Sequence, residues 1–153
     1  MKKILITTDN FPPRFDGVSK FLSEVIPKLA KYYKITVIAP NYGKYNIKNV
    51  KIFKFPLYKF KIGGYRPAKI NLKKISKLIE DNDLIFNNTI GPIGTASILY
   101  ASKLKKPILS YVHSIEWILF SEAISLPKFL RRYTKFTTKK LARILYNKCD
   151  MLI

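Results

Sequence analysis

Ile4-Leu5-Ile6-Thr7-Thr8-Asp9-Asn10-Phe11-Pro12-Pro13-Arg14-Phe15-Asp16-Gly17-Val18-Ser19-Lys20 joins an apolar run to a helical pattern through a proline-stiffened loop. Ile4-Leu5-Ile6 reads as a buried strand. Pro12 and Pro13 bar the loop from continuing either neighbouring element, because proline lacks the N–H and fixes φ. Gly17 stands at the mouth of a helix beginning near Val18, where free N–H groups point outward and the helix dipole favours an anion. Here the backbone can approach a phosphate or a sugar, with Asp16 or Asn10 binding hydroxyls. The same residues also read as an ordinary β–α turn. The G-x-G-x-x-G fingerprint is absent, which disfavours a dinucleotide-binding dehydrogenase.

Outward from this stretch, strand and helix patterns alternate. Residues 3–8, 35–39, 50–55, 84–86 and 108–112 read as strands, and 150–153 as the first half of another. Residues 18–33, 71–80, 93–104, 117–123 and 127–148 read as helices. Pro27, inside the first helix, is expected to kink it by removing the bond to Ser23. Short, continuously apolar strands separated by helices imply a parallel sheet covered on both faces. The fold class is therefore α/β, a doubly wound Rossmann-like domain over residues 1–153, with ligands at the carboxyl ends of its strands. Residues 58–69, with Gly63, Gly64 and Pro67 and no clear period, read as a loop.

At 153 residues and 48% hydrophobic the chain suits one packed domain rather than disorder. Lysines and arginines number 29 against 9 acids, a net charge of +20 that favours nucleic acid, anionic lipid or phosphorylated ligands. Only Arg14, Arg66, Arg131, Arg132 and Arg143 are arginines. Lysine-rich surface fits diffuse attraction better than specific base readout. The single cysteine, Cys149, excludes an internal disulfide and reads as a packed thiol. No signal-peptide pattern and no apolar run of spanning length is present. The expected location is the cytosol, with contact to the inner face of the cell membrane left open.

Three further segments carry candidate chemistry. Asn87-Asn88-Thr89-Ile90-Gly91-Pro92-Ile93-Gly94-Thr95 follows a strand and opens a helix, so its N–H groups face the ligand edge; a tight turn packed on the sheet accounts for it equally well. Tyr111-Val112-His113-Ser114-Ile115-Glu116-Trp117 places the only histidine, His113, just past a strand's carboxyl end. A lone histidine is usually structural, but that edge is where a doubly wound sheet holds ligands. His113 and Glu116 lack the partners for a metal site, and no Ser-His-Asp order is readable. In the last helix Lys128, Arg132, Lys135, Lys139 and Arg143 share one face and Leu130, Tyr133, Leu141 and Ile144 the opposite one. The expected reading is a solvated face over a packed face. A helix resting on anionic lipid is the sharper alternative, supported by the interleaved aromatics and cations of Tyr58-Lys59-Phe60-Lys61-Ile62-Gly63-Gly64-Tyr65-Arg66.

In order and spacing these segments resemble the N-terminal domain of group 1 (family 4) retaining glycosyltransferases of GT-B fold. The residues that carry the resemblance are the FPPRFDGVSKF loop, Ile35-Thr36-Val37-Ile38-Ala39-Pro40, Gly91-Pro92-Ile93-Gly94 and Tyr111-Val112-His113-Ser114. The resemblance implies transfer from a nucleotide-sugar, a co-substrate rather than a cofactor, to a glycan or lipid-linked acceptor. It implies that Gly17 offers its N–H to the donor's diphosphate and that His113 lies beside the reacting centre as the catalytic residue. Acceptor contacts are expected from Asp16 and Ser19 in the first loop and Arg66 in the aromatic loop. Gly91 and Thr95 at the second junction, and Ser114 and Glu116 after the third, complete the set. The chain stops where the resemblance places the strand before the interdomain linker. The C-terminal donor domain, with its paired glutamates, would then be a missing partner, and the isolated chain is expected not to turn over. A basic nucleic-acid-binding module is the alternative from another class, but no helix-turn-helix, RRM, OB or zinc-finger pattern supports specific nucleic-acid binding. A mononucleotide- or FMN-binding enzyme lacks motif support.

Overall fold

A computed structural model describes residues 1–153 except 63, 115–117 and 119–126. Six strands form one parallel sheet: β1 (Lys3–Thr7), β2 (Lys34–Pro40), β3 (Lys51–Phe55), β4 (Leu84–Asn87), β5 (Ile108–Ser110) and β6 (Met151–Leu152). Their order across the sheet is β3-β2-β1-β4-β5-β6. The described helices are α1 (Gly17–Leu29), α2 (Leu72–Glu80), α3 (Pro92–Lys103) and α4 (Lys128–Tyr146).

Strand alternation sorts the apolar residues onto two faces. Ile4 and Ile6 of β1 and Ile35 and Val37 of β2 pack with Leu22 and Ile26 of α1. Leu5 and Ile38 point the other way, against Ile75 and Ile79 of α2 and Ile93 and Ile98 of α3. The doubly wound reading thus holds, with element bounds within four residues of those expected. α1 runs through Pro27 without a break, ending at Leu29 rather than residue 33. Pro27 is exposed and near the last turn, so the Ser23 carbonyl it leaves unbonded lies where water can reach it.

Residues 57–68 fold back on themselves rather than forming an open loop. Antiparallel bridges join Leu57 to Ala68 and Ile62 to Tyr65. Cys149 is half-buried against the core, the packed thiol expected, and burial chiefly pushes its thiol up to about 11. Among the described residues no helix is long and apolar enough to cross a membrane.

α4 departs from expectation. Its buried side chains are Ala142 and Leu145, while Leu130, Tyr133, Leu141 and Ile144, expected to pack, are exposed. Phe129 and Phe136 join them, at 73% and 67% exposure. The helix lies at the margin of the sheet, leading into two-residue β6, so only a narrow strip of it meets the core. The expected helix at 117–123 lies outside the described residues, apart from Ile118, which is helical.

Candidate functional site

β1 leads outward to β2 and β3, whereas β4 leads the other way to β5 and β6, so the carboxyl ends of β1 and β4 flank the topological switch point. Parallel register sets Thr7 beside Asn87 there. The Thr7 hydroxyl donates to Asn87 Oδ1 at 2.9 Å, and Asn87 Nδ2 donates to Thr89 O and Ser110 Oγ. These buried bonds fix the ends of three strands relative to one another.

Two residues past Thr7, Asp9 is buried and accepts four hydrogen bonds. Ile93 N–H and Gly94 N–H, the first free donors of α3, reach Oδ1 and Oδ2 at 2.8 and 3.0 Å. The Thr89 hydroxyl donates to Oδ2 at 2.8 Å and the Tyr65 hydroxyl to Oδ1 at 3.3 Å. Burial pushes the Asp9 carboxyl above its ordinary range, and the four donors pull it back. Sequence reasoning passed over Asp9, yet it occupies the α3 N-terminus, whose N–H groups were expected to face a ligand. Gly91 and Gly94 follow from that packing. A Cβ at Gly91 would lie 2.5 Å from Asp9 Cγ, and one at Gly94 only 1.7 Å from Thr89 O. The turn reading of this junction therefore accounts for both glycines.

The N-terminus of α1 is arranged differently. Asp16 caps it, accepting from Ser19 N–H at 2.8 Å, and its other oxygen receives Arg14 Nε at 2.9 Å. This is the one salt bridge among the described residues. Gly17 is exposed, and a Cβ there would meet nothing within 4 Å. Its N–H and that of Val18 have no acceptor among the described residues, so this end of α1 is open to an anion. Ser19 is buried and its Oγ has no partner among the described residues, which sets it beneath α1 rather than on a binding surface.

His113 follows β5 and stacks among aromatics, 4.5 Å from the Tyr111 ring and 4.8 Å from Phe21, centroid to centroid. Its Nε2 lies 3.1 Å from Asn88 Oδ1. Asn88 Nδ2 donates to Phe86 O, which assigns Oδ1 as the acceptor facing the ring. Nε2 therefore carries the proton, and Nδ1 keeps its lone pair. Burial holds the imidazole below its ordinary value, and the Asp16 carboxylate opposes that shift.

These elements surround a cleft of about 780 Å³. Asp9, Asn10, Asn88, Thr89, His113 and Ser114 line its strand-end side, and Gly91 and Thr95 the start of α3. Of the expected site residues, His113, Ser114, Gly91 and Thr95 thus come together. Asp16 joins them through Arg14, which also lines the cleft. Arg66 lies in an adjoining cavity of about 380 Å³ that shares Arg14. Glu116 lies outside the described residues. Asn88 was also passed over, although two polar residues directly after an apolar parallel strand were the readable signal.

A parallel sheet wound in both directions, with its cleft at the switch point, is a Rossmann-like α/β domain. The Glycosyltransferase Family 4 model matches residues 15–153, and the chain belongs to that family. Sucrose-phosphate synthase from Thermosynechococcus elongatus is similar over 99% of this chain and 42% of its own, with TM-score 0.57 and 12% identity. The chain thus spans about two fifths of that enzyme's length. The C-terminal domain of the coenzyme A biosynthesis bifunctional protein CoaBC has TM-score 0.47 and 11% identity, over 80% of this chain and 69% of that one. An alpha-glucosyltransferase in complex with UDP has TM-score 0.44 and 14% identity, over 82% of this chain and 34% of its own. At 12% identity the likeness to sucrose-phosphate synthase is one of fold. No curated protein sequence matches the chain.

Proposed function

We propose that this domain is the acceptor side of a retaining glycosyltransferase that moves a sugar from a nucleotide-sugar to a glycan or lipid-linked acceptor at a membrane surface. The observation that carries the reading is the pairing of two features at one strand edge. One is the open α1 N-terminus at Gly17; the other is His113, with its protonated Nε2 engaged and its Nδ1 lone pair retained. As the bond between the anomeric carbon and the diphosphate breaks, negative charge grows on the departing phosphate. Preorganised N–H donors at a helix N-terminus stabilise that charge without reorganising. His113 Nδ1 accepts from a hydroxyl of the sugar or acceptor and orients it, and Ser114 and Arg66 contact the acceptor. Donor selection belongs to a second domain, in the same chain or another, and residues 1–153 alone do not turn over.

The test is carried out with the two-domain enzyme, obtained by extending the coding sequence past Ile153 or by supplying the donor half separately. His113→Ala is expected to lower kcat about a hundredfold with donor Kd changed less than threefold. An unaffected kcat removes His113 from the site. Measurable sugar transfer by the 153-residue chain alone sinks the claim that it needs a donor half.

A further inference from the structure

We infer that the acceptor bound in the cleft is an anionic amphiphile, a phosphate joined to a hydrocarbon chain. This rests on the glycosyl-transfer reading only for the ligand's role as acceptor. Away from the strand ends the cleft is apolar. Pro92, Ala96, Leu99 and Tyr100 recur along one face of α3, a row about 12 Å long at the helical rise of about 1.5 Å per residue. Ile62, Pro67, Ile70 and Leu72 face them from the segment leading into α2, and Leu141 from α4.

The hydroxyls along this wall have already committed their protons. Thr95 donates to Ile90 O at 2.8 Å and Thr138 to Thr134 O at 2.6 Å. Asp9 is saturated by its four donors, and Tyr65 donates to it. A glycan lying here would exchange water for a wall that offers its many hydroxyls only the spare lone pairs of these two threonines. A hydrocarbon chain loses nothing and takes Leu99 and Leu141, 44% and 47% exposed, out of water.

The adjoining cavity supplies the opposite chemistry. Among the described residues Arg14, Lys61 and Arg66 line it together with Asn41 and Tyr42 and no acid does; Arg14 is paired through Nε with Asp16, so the cations left without a carboxylate there are Lys61 and Arg66. Arg14 belongs to both cavities, its guanidinium held over the rings of Tyr42 and Tyr65 at 5.4 and 6.0 Å. A phosphate among these cations has its chain directed into the apolar cleft. Charge complementarity and apolar lining thus select one molecule carrying both groups.

The 153-residue chain is titrated calorimetrically with farnesyl phosphate below its micelle-forming concentration, with farnesol, and with inorganic phosphate. Farnesyl phosphate is expected to bind at least tenfold more tightly than either fragment. Leu99→Glu and Leu141→Glu, both at exposed positions, should each cost at least tenfold while leaving the circular dichroism unchanged. Lys61→Gln combined with Arg66→Gln should weaken farnesyl phosphate and leave farnesol unchanged. The proposal is overturned if inorganic phosphate binds as well, so that a free anion is the ligand, or if neither glutamate variant weakens binding. It is also overturned if the chain is a dimer that Leu99→Glu dissociates, which makes a second copy the occupant. Sugar transfer is not measured in this titration. Failure here with transfer to a soluble glycan retained refutes the amphiphile alone; tight amphiphile binding with no transfer by the two-domain enzyme refutes the reaction alone.

Discussion

His113 and Asp9 show how one position can be readable in the sequence while its neighbour in space is not. His113 lies three residues past the end of the short apolar strand β5, and in a parallel sheet that places it at the ligand edge whatever its partners. Asp9 follows a strand too, but its role depends on N–H groups more than eighty residues away, which no local pattern reports. His113 is the only histidine, so its imidazole C–H signal in proton NMR is unambiguous. Its titration midpoint is expected below 6.5, because burial disfavours the charged ring. Asp16→Asn should lower it further, since the Asp16 carboxylate is the group raising it. The linked stability has a definite sign. With the folded pKa below the unfolded one, the unfolded chain takes up the proton first as the pH falls. The contribution is complete above about 6.5 and is lost as pH drops from there toward the folded midpoint. A midpoint at or above 6.5 would mean that the ring is solvated rather than packed on Tyr111 and Phe21.

Helices α1 and α3 both begin with glycine-containing turns at the same sheet edge, and the sequence gives no way to rank them. Their surroundings separate them. α3 starts against its own protein, with Asp9 on its N–H groups, whereas α1 starts in open space at Gly17. Gly94→Ala must move the Thr89 carbonyl, which is backbone tied to Asn87 Nδ2, so the strain is not easily relieved. Thermal unfolding should show a loss of about 3 kcal/mol, near the upper end for overpacking. For a domain of this size that lowers Tm by roughly 6–12 °C. Gly17→Ala adds a methyl group at the first helical position with nothing to meet, and should change stability by less than about 0.5 kcal/mol. Equal losses from the two substitutions would contradict this division. α4 shows the complementary difficulty. Its period was readable, but periodicity names faces without saying which one is covered. At the margin of the sheet, the covered strip is Ala142 and Leu145 rather than the aromatic band.

On the whole molecule a +20 charge coexists with the exposed aromatic band of α4. Phe129, Tyr133 and Phe136 recur at three- and four-residue spacing and face solvent, and Arg132, Lys135, Lys139 and Arg143 occupy the adjacent face. A nucleic acid would engage the cations and leave three aromatic rings in water, since nothing in α4 offers a groove for bases to enter. An anionic bilayer would engage both, with the rings entering the headgroup boundary and each nearby cation contributing about 1 kcal/mol. Sedimentation with vesicles should therefore show binding to phosphatidylglycerol-containing membranes and little to phosphatidylcholine alone. Salt would weaken the interaction with either vesicles or DNA, so it does not discriminate between them. The aromatic rings do. Phe129→Ser with Phe136→Ser, both at exposed positions, should weaken vesicle binding about tenfold and leave duplex DNA binding unchanged. Acidic vesicles should displace the wild-type chain from DNA. If DNA instead displaces it from vesicles, and the double substitution has no effect on vesicle binding, the cations alone explain the association and α4 is not a membrane-resting helix.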